Sequence, residues 1–79
     1  MRIDKYLKVS RIIKRRTIAN EACDAGRVEV NGKVVRASYD VKVGDEILIS
    51  MGQSQRKYRV LQVSEHALKD EATNMYEVL

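Results

Sequence analysis

Gly26-Arg27-Val28-Glu29-Val30-Asn31-Gly32-Lys33-Val34-Val35-Arg36 reads as a helix stop followed at once by a β-hairpin. Two β-prone runs, 27–30 and 33–36, flank Asn31-Gly32, the dipeptide best suited to the two positive φ angles of a type I′ turn. Gly26, just ahead of the first run, is the residue type that closes a helix in the left-handed conformation. A helix is therefore expected before this stretch and more strands after it.

Working back toward the N-terminus, Ile18, Ala19, Ala22, Cys23 and Ala25 form an apolar stripe at helical spacing, with Asn20, Glu21 and Asp24 opposite. The spacing predicts a helix ending at Ala25, with Thr17 as its N-cap or a first-turn residue. Ile12 and Ile13 are apolar anchors of the preceding connection. Ile3, Tyr6, Leu7 and Ser10 recur at helical spacing, so residues 3–9 read as a first, short amphipathic helix. Working forward, Gly44-Asp45 reads as a turn and Glu46–Ser50 as a strand with Ile47 and Ile49 on one face. Gly52–Gln55 reads as a polar loop and Arg56–Val63 as a fourth strand. Leu68–Thr73 suits one helical turn, and Met75–Leu79 a final strand or a tail on the sheet. The expected fold class is α+β, two short N-terminal helices packed on a small, mostly antiparallel sheet.

A chain of 79 residues, 44% hydrophobic and without proline, suffices for one domain with a modest core. One cysteine, Cys23, excludes an internal disulfide and fits a reducing compartment. The N-terminal residues alternate charge with apolar side chains, and no run approaches the roughly 20 apolar residues of a membrane span, so a cytoplasmic protein without leader or span is expected.

The formal charge is only +4, but it is unevenly placed. Residues 2–16 carry seven bases (Arg2, Lys5, Lys8, Arg11, Lys14, Arg15, Arg16) against one acid, Asp4, while 17–40 and 41–79 each come to −1. Such a concentrated patch is the footprint of a polyanion partner. Lys14, Arg15 and Arg16 stand just ahead of a helix N-terminus, where they repel one another and oppose the positive end of the helix dipole. A phosphate there would relieve both penalties and accept bonds from guanidinium groups and free backbone N–H groups. A helix-turn-helix reader laid along a DNA groove would press Glu21 and Asp24 against phosphates, so docking through the end of the second helix fits the charges better.

Catalytic chemistry finds little support. His66 is the sole histidine, Cys23 lies on the inner stripe of a helix, and the acid pairs Asp45-Glu46 and Asp70-Glu71 read as surface or turn charges, not as a general acid and base. No cofactor and no metal site are expected.

The segments Arg2-Ile3-Asp4-Lys5-Tyr6-Leu7, Ser10-Arg11, Arg15-Arg16-Thr17-Ile18-Ala19, Ala25–Lys33 and Val43–Ile47 together form a recognisable pattern. It resembles the alpha-L RNA-binding motif, the domain first seen in small-subunit ribosomal protein S4, over residues 1 to about 50. As a stand-alone copy, the chain is similar to the heat-shock-protein-15 family, in its short Gram-positive branch, over nearly its whole length. The resemblance implies one RNA-binding domain over 1–79, with a motif core of about 1–50 and a sheet extension and tail in 51–79. It implies binding to large-subunit rRNA and peptidyl-tRNA on stalled, split ribosomes, beside an RqcH-type factor that supports C-terminal alanine tailing. The role implied is a clamp, without catalysis. General ribosome assembly, regulatory RNA binding, or service as the targeting module of an RNA-modifying enzyme are the alternatives. The expected RNA contacts are Arg2, Arg11, Arg15 and Arg16, then Lys5 and Lys14, with Lys8, Lys33 and Arg36 peripheral. Asp4 is expected to orient one of the arginines, and Tyr6 is either a core residue or a base-stacking platform.

Overall fold

The computed structural model describes residues 1–68 and 70–79, and the backbone of residue 69. Asn31 (φ 52°) and Gly32 (φ 85°) both sit in the left-handed region, as a type I′ turn demands, and join β1 (Val28–Val30) to β2 (Lys33–Val34). Asn31 also pins the hairpin to the neighbouring strand, its Oδ1 accepting from Glu46 N–H at 3.1 Å and its Nδ2 donating to Asp45 at 3.2 Å.

Two helices precede the hairpin, α1 (Ile3–Val9) and α2 (Arg16–Asp24). The second begins at Arg16, not at or after Thr17, and Ala25 is its cap residue instead of part of its buried stripe. Gly26 follows at φ 76°, its N–H bonding Cys23 O at 3.0 Å while Arg27 N–H reaches back to Ala22 O at 2.9 Å. This double bond pattern is the Schellman stop, and a side chain at Gly26 would be strained there. Ala19, Ala22 and Cys23 are buried, whereas Ile18, about a quarter turn from the centre of their face, is 41% exposed.

After the hairpin come β3 (Glu46–Met51), β4 (Ser54–Val60), α3 (Lys69–Ala72) and β5 (Tyr76–Val78), giving one five-stranded sheet in the order β2-β1-β3-β4-β5 with every pair antiparallel. The expected loop at 52–55 shrinks to the two residues Gly52-Gln53, since Met51 already pairs with Ser54. Register with β3 overrides the polar character of Ser54 and Gln55. At the other end the strand stops at Val60 and not Val63, where Leu61 and Gln62 both direct their N–H groups to the single carbonyl of Met75.

One face of the sheet meets the helices. Ile3, Tyr6 and Leu7 from α1 and Ala19, Ala22 and Cys23 from α2 share a core with Val28, Val30, Ile47, Ile49, Tyr58 and Val60. Each large aliphatic side chain in it contributes about 1.5–3 kcal/mol. Tyr6 is fully buried and donates its hydroxyl to Met75 O at 2.7 Å, so it is a core residue, unavailable for stacking on a base. Asp45 is likewise no surface charge: 9% exposed, it accepts from Asn31, from Tyr39 Oη at 3.1 Å and from Lys42 N–H at 2.9 Å, tying three loops together. Cys23 is buried and its thiol is pushed up to about 11, first by burial and then by Asp4 and Asp24, which leaves it protonated and unsuited to nucleophilic chemistry.

Candidate nucleic-acid interface

The start of α2 has none of the usual helix caps. Its cap position holds Arg15 in an extended conformation, the Arg15 side chain makes no capping bond, and its first turn contains no acid. Of the two places expected for Thr17, cap or first turn, it takes the second. Among the described residues, the N–H groups of Arg16, Thr17 and Ile18 have no partner, and the first bond into the helix is Ala19 N–H to Arg15 O at 3.1 Å. Unpaired donors at the positive end of the dipole suit an anion.

Beside this opening sits Asp4, only 2% exposed. Its carboxylate accepts from Arg2 at 3.2 and 3.3 Å, from Lys5 N–H at 2.8 Å and from Asn20 Nδ2 at 3.2 Å, and it lies 3.5 Å from Arg16 Nε. Burial by itself would raise the acid's pKa, but the bonds from Asn20, Arg2 and Lys5 and the charge of Arg16 together hold it below the ordinary carboxylate value. An ionised, buried carboxylate thus holds two guanidinium groups, each about half exposed (50% and 48%), on one edge of the protein. Arg2, Arg16, Thr17 and Asn20 border a depression of about 410 Å³, with Glu21 on its rim. Asn20 was expected to face outward with Glu21 and Asp24; it turns instead to Asp4. The signal was present in the sequence, because Asn20 follows Arg16 by four residues and so shares its helix face.

The remaining cations fall into separate places. Lys8, Arg11 and Lys14 line a larger cleft of about 690 Å³ against the segment 65–68 and Glu71. Lys5 pairs with Glu65, at the edge of that same segment. Arg15 is exposed at the opening of α2. Lys33 is exposed on the edge strand β2, and Arg36 borders a third depression with Cys23, Asp24 and Gly26, at the far end of α2. A helix of 9 residues is about 13 Å long, so Arg36 does not share a phosphate with Arg16.

Comparison with known proteins places this arrangement. The S4 domain matches residues 1–47. The RQC P-site tRNA stabilizing factor of Bacillus subtilis is 49% identical over 79 residues, covering 100% of this chain and 92% of that protein. The protein of the same name from Halalkalibacterium halodurans is 51% identical over 78 residues, covering 99% and 89%. Among solved structures, Heat Shock Protein 15 of Vibrio cholerae, described as a trimer, superposes with a TM-score of 0.90 at 26% identity, covering 100% of this chain and 81% of that one. The chain belongs to the S4-domain family, in the branch formed with the RQC P-site tRNA stabilizing factors.

Proposed function

We propose that this protein is a non-catalytic clamp in ribosome-associated quality control, working in the cytoplasm on the large subunit of stalled, split ribosomes. It holds peptidyl-tRNA and docks on large-subunit rRNA while an RqcH-type factor supports C-terminal alanine tailing. The name of its relatives and the S4 domain support a tRNA-binding role. The observation that carries it is local: two arginines, fixed by a buried carboxylate, stand beside a helix start whose donors are unpaired. That geometry grips phosphate oxygens and carries no base code, so the shape of the RNA supplies the discrimination. Arg2, Arg15 and Arg16 form the centre of this interface, Lys5, Lys8, Arg11 and Lys14 extend it, and Lys33 and Arg36 are peripheral.

Affinity purification of the tagged protein, followed by sedimentation and RNA sequencing, tests the proposal. Large-subunit rRNA together with tRNA is the expected cargo. Recovery of messenger or precursor RNA in its place would overturn it. In purified components, binding to large subunits should weaken with a log–log salt slope of roughly −3 to −5, for about five neutralised phosphates. A flat response would remove the electrostatic basis.

A further inference from the structure

Arg11 has φ 65°, a left-handed conformation in which glycine is at ease and a long side chain is not. Its N–H bonds Lys8 O at 3.1 Å, so it occupies the stop position of α1, where glycine is the ordinary choice. The left-handed turn serves the helix stop, with Ile13 N–H also reaching back to Leu7 O at 3.0 Å, but nothing in the fold calls for an arginine there: Arg11 is exposed, and among the described residues its guanidinium bonds nothing. The arginine at this turn joins Lys8 and Lys14 in lining the 690 Å³ cleft. The facing wall is of another kind. There His66 and Leu68, the latter 74% exposed, present flat and apolar surface, and Glu65 and Glu71 present carboxylates.

We propose that this cleft is a second RNA subsite that takes a single unpaired nucleotide. Its phosphate lies on Lys8, Arg11 and Lys14, and its sugar and base lie on His66 and Leu68. The Glu71 carboxylate repels phosphate from that side and so fixes which way round the nucleotide enters, while Glu65 is already paired with Lys5. Duplex RNA turns its bases inward and has no use for an apolar wall behind a cationic rim, whereas a base turned out of a loop or bulge does. The volume lies within the range of pockets that enclose one small ligand. The inference rests on the RNA-binding reading above, but it uses residues outside the Arg2–Arg16 site.

The test compares a fluorescent RNA hairpin carrying an unpaired loop with a blunt duplex of the same stem. Wild type should prefer the hairpin, and Arg11→Gly should reduce hairpin binding by about tenfold, the loss of one charged hydrogen-bonding group, and duplex binding by much less. Leu68→Ala, at an exposed position that cannot affect folding much, should also narrow the preference. Arg11→Gly should melt no lower than wild type, and up to roughly 4–8 °C higher, since the strain is relieved. No preference in wild type, or a preference untouched by both variants, would overturn the subsite. Arg16→Ala separates the two ideas: if it leaves both RNAs bound as in wild type while Arg11→Gly still narrows the preference, the α2 site is wrong and the cleft stands.

Discussion

At the start of α1 the donors are all used: Ile3 and Asp4 N–H reach the carbonyls of Tyr39 and Ala37 at 2.8 and 3.3 Å, and Lys5 N–H reaches the Asp4 carboxylate at 2.8 Å. At the start of α2 the equivalent groups of Arg16, Thr17 and Ile18 have no partner among the described residues, and the surrounding side chains are cations. The helices are of similar length and pack against each other, so the difference is not one of burial or propensity. The closed start is satisfied within the fold, and the open start is the one to which the proposed RNA contact is assigned. Asp4 belongs to both, as it accepts the Lys5 N–H in the first turn of α1 and holds Arg2 and Arg16 beside the second.

The strongest way to break this contrast is Asp4→Ala. It leaves Lys5 N–H and the Asn20 amide without their acceptor and frees both arginines. Stability should fall by about 2–3 kcal/mol, more than about 8 °C in Tm, with RNA binding weakened as well. A thermal melt like that of wild type would show that the carboxylate does not organise the region. Because the folded pKa of Asp4 is lowered from 3.8, its contribution is fully present above about pH 4 and is lost as pH falls through the folded value. Asp4→Asn should therefore flatten the acid limb of a stability–pH curve below pH 4.

Next in size is Arg16→Ala, expected to weaken large-subunit binding by about 1–3 kcal/mol, with Arg16→Lys recovering only part because the guanidinium fork is lost. The Tm should barely move, since a half-exposed ion pair is worth about 0–1 kcal/mol. A lowered Tm with unchanged pelleting would assign Arg16 to the scaffold. Arg15→Asp sharpens the comparison from the other side by closing the open start. A carboxylate at the cap position should add about 1 kcal/mol of stability while weakening RNA binding, and a variant that melts higher yet binds as wild type would refute the assignment. The smallest effects belong to the two acids of α2. Glu21→Ala, on the rim of the Arg2–Arg16 depression, should tighten binding by a few tenths of a kcal/mol, and Asp24→Ala, near the far end of α2, should leave it unchanged.

The hairpin, both helices and the basic cluster were legible in the sequence because each rests on a local rule: a turn dipeptide, a period of 3.6, a charge count. Three things were not. The limits of β4 depend on pairing with β3 and on the carbonyl of Met75, which no local pattern encodes. Asp45, read as a surface charge, is buried by loops that approach it from Asn31, Tyr39 and Lys42. The separation of the cations into an Asp4-held pair and a cleft facing residues 65–71 required knowing where the chain returns after β4. Asn20 is a different matter, since its spacing from Arg16 was in plain view and its polarity alone suggested solvent.

The bond from Tyr6 to Met75 O spans 69 positions in the chain. A ribosome adding about 5–20 residues per second needs roughly 3 to 14 s to travel that distance, and the first helix must wait that long for its last partner. The basic N-terminal surface is thus encoded first and completed last. A nascent copy halted before Met75 should leave Tyr6 unpaired and α1 loosely seated, measurable as fast amide exchange in residues 3–9. Synthesis would then decide when the first helix, and the basic residues on it, become fixed in place.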